Sequence, residues 1–113
     1  MKLPEPVRRV AEQELAKFCE RRVPPHAQNS IRLSFAVRGS SLTLFEERQA
    51  FLKPGQWTKM PIAQFRYDED GCWTLYCADR NDRWHEYIET YPLKDIRELI
   101  EEVDEDPTGI FWG

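Results

Sequence analysis

An alternating stretch in the first half of the chain constrains the fold more than any other feature. Residues 31–38, IRLSFAVR, place every second side chain in an apolar row, which is the two-residue period of a half-buried β-strand. Gly39-Ser40 suits a two-residue turn with glycine first, and residues 42–48 return as the second strand of a hairpin. The register predicts three cross-strand pairs: Val37 with Leu42, Phe35 with Leu44, and Arg32 with Glu47.

A second hairpin is indicated around Asp70-Gly71, where two loop lengths compete. A two-residue loop would place Arg66 beside Leu75 and so mix polar with apolar side chains on one face. A three-residue loop at residues 69–71, with Gly71 in the left-handed conformation, separates the faces, and this is the register that we predict. It pairs Tyr67 with Trp73, Phe65 with Leu75, and Ala63 with Cys77.

Two further turns complete a five-stranded antiparallel meander over residues 30–88. The proline–glycine pair at residues 54–55 separates the two hairpins. A turn at residues 80–82 then leads into the last strand, in which we expect Trp84 and Ile88 on the core side.

Helical patterns flank the predicted sheet. Residues 6–22 carry an apolar stripe at helical spacing, and Pro92 is expected to open a second helix over residues 93–105. We therefore predict one α+β domain, residues 1–113. It consists of an N-terminal helix, the antiparallel meander, a C-terminal helix and a docked apolar tail at residues 106–113, with both helices on one sheet face.

Composition and charge narrow the functional class. The chain is 41% hydrophobic and 12% aromatic, as folded proteins are, and its net charge is -4 at pH 7. Residues 93–113 carry seven acidic and two basic side chains, so a basic surface has to come from the front half. We see no signal peptide, no run long enough to span a bilayer and no framework spacing among the three cysteines. These features predict a cytoplasmic protein with free thiols and no membrane contact.

The sheet face opposite the helices, which we name the second face, is the predicted binding surface. Bases stack on aromatic rings while cations meet phosphates, but the same residue types also occur on an ordinary solvated sheet face. We interpret the surface as a site for a protein partner or a second copy of the chain, with single-stranded nucleic acid as the alternative. Its candidate residues are Arg32, Arg38, Phe45, Arg66, Tyr76, His85 and Tyr87.

Candidate chemistry is sparse, so a non-enzymatic protein is the favoured interpretation. His85 with Asp79 is the best pair for general acid–base catalysis, but the residue types at 79–82 are also typical of an ordinary turn. Cys72 and Cys77 are separated by an odd offset and fall on opposite faces of a strand, which argues against a metal site. We predict no metal and no cofactor.

The chain closes on three apolar residues, Ile110, Phe111 and Trp112. Ordering the last five residues costs roughly 5–10 kcal/mol, and burial of each of the three side chains offsets about 1.5–3 kcal/mol. The two quantities nearly cancel, so the tail is expected to stay ordered only if all three side chains find pockets. We predict a clasp that closes the domain, with a swapped or partner-bound tail as the alternative.

Several stretches together carry a family resemblance over most of the chain, from about Phe18 to the last residue. They are FCERRVP from 18, LFEER from 44, PIAQFRY from 61, WTLY from 73, DRNDRWHEY from 79 and DPTGIFWG from 106. They resemble the bacterial domain-of-unknown-function family numbered 3024, whose members are small stand-alone proteins. The resemblance implies no particular activity or cofactor. It does imply that the closing segment is characteristic of the family, and that Trp57, Trp73, Arg80, Trp84 and His85 belong to its pattern.

Overall fold

The computed structural model describes residues 2–53 and 55–112. Within them, two α-helices and five strands follow one another: α1 Glu5–Arg22, β1 Ile31–Arg38, β2 Ser41–Gln49, β3 Trp57–Tyr67, β4 Trp73–Ala78, β5 Trp84–Glu86 and α2 Ile96–Glu105. The strands form one antiparallel sheet in the order β1-β2-β3-β4-β5, which confirms the α+β meander. Pro54, half of the predicted turn at residues 54–55, lies outside the described residues. Neither described helix is long and apolar enough to cross a membrane.

The first helix packs on the sheet through the stripe that the sequence predicts. Ala11, Leu15 and Phe18 are fully buried along one side of α1, whereas the residues around them are exposed or half-buried. The helix ends at Arg22 because Val23, which precedes Pro24, adopts an extended conformation. Both helices contribute to one core against a single sheet face, where the central side chains are Leu42, Leu44, Phe65, Leu75, Leu99 and Val103.

Both predicted hairpin registers are confirmed. In the first hairpin the predicted pairs across the Gly39-Ser40 turn are all present. In the second, β3 and β4 pair in the register of the three-residue loop, and Gly71 has a φ of +79° in the left-handed region. Since partners across an antiparallel ladder share a face, these registers decide which side chains point away from the helices.

A β-bulge between β2 and β3 changes what the second face contains. Leu44 pairs with Ala63 but Phe45 pairs with Pro61, so Ile62 is the additional residue in β3. Ile62 and Ala63 are both buried on the helix side. Beyond the bulge, the alternate residues of β3 therefore lie on the second face beside β2, namely Pro61, Lys59 and Trp57.

The last strand differs from the prediction in which side chains face the core. Cys77 pairs with His85 and Ala78 with Trp84. Because Cys77 lies on the helix side, His85 lies on that side too, while Trp84 turns to the second face. The expectation of Trp84 on the core side and His85 on the second face was therefore wrong.

Tyr87 and Ile88, which follow β5, also differ from the predicted sides. Tyr87 is only 4% exposed and belongs to the core, whereas Ile88 is 82% exposed. The Tyr87 hydroxyl donates a hydrogen bond to the Glu102 carboxylate at 2.6 Å, and burial together with that carboxylate raises the pKa of Tyr87 to about 12. Tyr87 anchors the end of the sheet to α2, and its predicted place on the second face was wrong.

The second helix begins later than Pro92 suggests. Leu93 forms an isolated antiparallel bridge with Trp73, exchanging two backbone hydrogen bonds of 2.6 and 2.9 Å. Asp95 then caps α2, its carboxylate accepting a hydrogen bond from the Arg97 backbone at 3.0 Å. The segment after Pro92 thus extends the edge of β4, and the helix spans Ile96–Glu105.

The closing segment docks on its own chain. Phe111 is 6% exposed and packs on the Tyr87 ring, with the ring centroids 5.1 Å apart. The Trp112 indole donates a hydrogen bond to the Val103 carbonyl at 2.7 Å and lies under the Arg22 guanidinium. Ile110 remains 50% exposed, so the expectation that all three side chains must find pockets was wrong.

Candidate functional site: the second sheet face

The second face holds five of the seven predicted binding residues. Arg32, Arg38, Phe45, Arg66 and Tyr76 lie on it by register, since each pairs with another residue that points away from the helices. His85 and Tyr87 do not lie there, as described above. The residues that the structure adds to this face include Trp57, Lys59, Pro61 and Trp84.

Three aromatic rings on this face are already covered by the protein's own cations. The Arg32 guanidinium lies 3.9 Å from the Trp57 ring centroid, the Lys59 ammonium 4.3 Å from that of Phe45, and the Arg66 guanidinium 3.8 Å from that of Tyr76. Such stacks stabilise by about 0.5–2 kcal/mol each. A ligand that stacked on one of these rings would first have to displace the cation.

A network of polar side chains holds the middle of the face. Arg66 donates to the Gln64 amide oxygen at 2.6 Å, and the Gln64 amide nitrogen donates to the Thr43 hydroxyl at 2.8 Å. The Ser34 hydroxyl donates to Glu47 at 2.5 Å, and Arg32 pairs with the same carboxylate at 3.1 Å. The Ser34 hydrogen bond, followed by those from Arg32, lowers the pKa of Glu47.

Trp84 differs from the other rings of the second face. No cation is stacked on its ring among the residues that the structure describes. Its half-buried indole reaches from β5 to one wall of an open depression of about 490 Å³, which we name the Trp84 depression. Its lining residues are Ala36, Arg38, Ser41, Thr43, Phe45, Pro61, Gln64 and Trp84.

Positive charge predominates around the depression. Four cations and two carboxylates lie on the described second face: Arg32, Arg38, Lys59, Arg66, Glu47 and Glu86. Within residues 2–53 and 55–112, the Arg38 side chain has no hydrogen bond or ion pair, although it lines the depression. Trp84, Phe45 and Pro61 thus line the depression together with the exposed Arg38, which suits a ligand that carries a large apolar group and an anionic group.

The two residues predicted for acid–base chemistry do meet, at the β4–β5 turn. His85 Nε2 lies 2.7 Å from Asp79 Oδ2, and Asp79 Oδ1 accepts the backbone N–H groups of Asn81 and Arg83. The His85 hydrogen bond and these backbone donors hold the pKa of Asp79 near 2. The carboxylate therefore orients the imidazole, as in many catalytic and many structural turns.

Among the described residues, the groups around this pair show neither an activated thiol nor a metal cluster. The Cys77 thiol is 3.6 Å from the His85 carbonyl, where burial raises the pKa of Cys77 and so disfavours the nucleophilic thiolate. Within the described residues, no cluster of three or more His, Cys, Asp or Glu side chains is arranged to hold a metal ion.

Two sequence features could have revealed the missed residues. Proline inside a strand is typical of bulges and edge strands, so Pro61 in the run that became β3 marks the place where the register shifts. The three-residue loop at residues 80–82 fixes the register of β5 by itself, and from it the side of Trp84 follows.

Comparison with known proteins identifies a family but no function. A family model described as a domain of unknown function, DUF3024, matches residues 3–113. No curated protein and no solved structure matches the chain.

Proposed function

The chain belongs to the DUF3024 family, and we propose that it is a non-catalytic binding module whose ligand enters the Trp84 depression. The observation that carries the proposal is the contrast between Trp84 and the other rings of the second face. Trp57, Phe45 and Tyr76 are covered by cations from within the chain. Among the described residues no cation is stacked on Trp84, whose ring lines an open depression together with Arg38.

The ligand class that fits best is an extended acidic segment of a partner protein with one large apolar side chain. The apolar side chain would enter between Trp84 and Pro61, and a neighbouring carboxylate would pair with Arg38. An open depression on a sheet accepts a peptide that crosses it, because the flanking backbone can remain in solvent. The free thiols of Cys19, Cys72 and Cys77 are compatible with a cytoplasmic setting for this interaction.

The charge of the second face argues against its pairing with the same face of another copy. Contact between two identical faces would bring Arg38, Lys59 and Arg66 of each copy into the same interface. Like charges buried in an interface cost several kcal/mol. An acidic partner avoids this cost, and we therefore favour a partner other than a second copy.

Selection from a peptide library tests the proposal directly. We expect the selected peptides to combine Asp or Glu with Trp, Phe or Leu. Trp84→Ala should weaken their binding by about thirty-fold, the usual effect of losing an interface anchor. Tyr91→Ala is the matched control, because Tyr91 is an exposed aromatic residue outside the second face. Peptides that bind the Trp84→Ala and wild-type proteins equally well would overturn the proposal.

Single-stranded nucleic acid is the second candidate, favoured by the excess of cations around the uncovered Trp84 ring. A base would stack on Trp84 while Arg38 and Lys59 met phosphates. Titration with a fluorescent oligonucleotide at low salt separates the candidates: binding that weakens steeply with added salt and is lost in Trp84→Ala would favour the nucleic acid. Absence of binding at low salt would eliminate it.

A further inference from the structure

The outer edge of β1 carries a second interaction surface, which adjoins the Trp84 depression because Ala36 and Arg38 of β1 also line that depression. The strand spans eight residues, pairs with β2 without any shift of register, and contains no proline. In the described part of the chain, no strand pairs with its outer side. The opposite edge of the sheet, β5, has only three residues. A long regular edge is a template for another strand, and most proteins shorten, bend or cover such an edge.

The register identifies the backbone groups that β1 offers. The residues that flank a two-residue turn form a hydrogen-bonded pair, so the even-numbered residues of β1 bond to β2. The Gln49 N–H likewise donates a hydrogen bond of 3.0 Å to the carbonyl of Ser30, which is also an even-numbered residue. The outward N–H and C=O groups therefore belong to the odd-numbered residues: Ile31, Leu33, Phe35 and Val37.

The same four residues also carry the apolar side chains of the edge. They point to the helix side, yet each is only half-buried. Beside them, α1 and β1 enclose an open groove of about 580 Å³, whose walls include Ala16, Cys19, Val23, Leu33 and Phe35. A strand added to this edge would gain backbone hydrogen bonds and place its own apolar side chains in the groove.

From this edge we infer that two copies of the chain associate through β1, antiparallel, to form a continuous ten-stranded sheet. The sequence of β1 complements itself in one register, which places Ser34 opposite Ser34 of the second copy. All four apolar residues then pair with apolar residues, Ile31 with Val37 and Leu33 with Phe35. Arg32 faces Ala36.

Outward-bonding residues pair only with one another, so the register can change only in steps of two residues. The two neighbouring registers that this rule allows are less favourable. Moving the pairing centre toward Phe35 sets Arg32 directly against Arg38, two like charges. Moving it toward Leu33 pairs Val37 with Asn29 and loses one apolar contact. Charge and apolar pairing thus select one two-fold arrangement.

Sedimentation equilibrium of the full chain tests the association. We expect a concentration-dependent mass that approaches twice 13.5 kDa. Residue 36 of each copy faces Arg32 of the other copy, so the dimer contains this contact twice. Ala36→Glu should therefore tighten the dimer and Ala36→Lys should weaken it, each by about two- to thirty-fold. Ala36 is exposed, so neither change should unfold the chain. A single-chain mass at hundreds of micromolar, or equal effects of Glu and Lys, would overturn the inference.

Amide hydrogen exchange tests the surface. The outward amides of Leu33 and Phe35 should exchange slowly at high protein concentration and quickly on dilution. Leu33→Lys should abolish dimerisation, whereas Val10→Lys, the same type of substitution at an exposed apolar residue of α1, should not. A dimer in which Leu33 and Phe35 exchange quickly would be formed by another surface, and the inference would fail. Trp84→Ala should leave the mass unchanged, so this test and that of the proposed function fail independently.

Discussion

At the scale of single residues, Asp106 holds the closing segment in place. It adopts the left-handed conformation at the end of α2, with a φ of 46°, which aspartate and asparagine tolerate better than most residues. Its two carboxylate oxygens accept the backbone N–H groups of Phe111 and Trp112 at 3.1 and 2.9 Å. One side chain thus stops the helix and orders the tail, which explains how the tail docks although Ile110 is half exposed.

We predict that Asp106→Ala lowers the free energy of unfolding by about 2–4 kcal/mol. The variant loses two charge-assisted hydrogen bonds and places alanine in a left-handed conformation. Urea unfolding monitored by tryptophan fluorescence measures the change. Asp106→Asn is the control, since asparagine tolerates the conformation and keeps one oxygen acceptor, and its effect should be smaller. Equal stability of Asp106→Ala and the wild type would show that the carboxylate does not order the tail.

Asp79 makes stability depend on pH. Its pKa is about 2 in the folded protein against an ordinary value of 3.8, so it stabilises the fold above pH 3.8 and ceases to do so as the pH falls toward 2. We predict that the melting temperatures of the wild type and Asp79→Asn converge over this fall in pH. Asp82→Asn, in the same turn, is the control, because no hydrogen bond to the Asp82 carboxylate is present among the described residues. A constant difference between wild type and Asp79→Asn would contradict the prediction.

At the scale of elements, the tail acts as a clasp between the two helices and the sheet. Phe111 reaches Tyr87 of the segment after β5, while Trp112 contacts Phe18 of α1 and bonds to Val103 of α2. Arg22 completes the clasp by stacking on Trp112 at 4.4 Å and donating to the Asp104 carbonyl and carboxylate at 2.7 Å. The tail therefore joins elements that are distant in sequence.

Deletion of residues 110–113 should lower the melting temperature markedly. Truncation of a buried Phe or Trp to alanine typically costs about 3–5 kcal/mol, and the deletion removes one buried and one half-buried aromatic residue. Phe111→Ala alone should show most of the loss, whereas Ile110→Ala, at a half-exposed position, should change the melting temperature little. An unchanged melting curve for the deletion would assign the tail to a partner instead.

The hairpins could be predicted from sequence because their faces are strongly segregated. A slip by one residue in either hairpin would move Phe35 or Phe65 from the helix side to the second face, so the pattern alone selects the register. The last strand is short. Trp84 within it and Ile88 just beyond it are apolar and suggest a core side, whereas the length of the preceding turn places Trp84 on the second face. The hydrogen bond of Tyr87 to Glu102 and its stacking on Phe111 depend on α2 and the tail, and neither contact can be read from the strand itself.

At the scale of the whole molecule, charge is separated between the two sides of the sheet. Residues 93–112, which pack on the helix side, carry seven acidic and two basic side chains, while cations predominate on the second face. The sequence predicted this basic face and five of its residues. It did not predict Trp84 on this face, because the position of that ring depends on the β5 register. It did not predict that cations cover the other rings either, because the β3 bulge is what brings Lys59 beside Phe45 and Trp57 beside Arg32.

The most direct test of the proposed binding site is an amide and indole NMR titration with a peptide selected on the wild-type protein. We predict that the Trp84 indole N–H signal and the amides of the residues that line the Trp84 depression shift together, in proportion to the bound fraction. The Trp112 indole N–H, held by the Val103 carbonyl in the clasp, should remain unchanged and serves as an internal control. A titration that shifts the Trp112 indole or the β1 edge while leaving Trp84 unchanged would contradict the account.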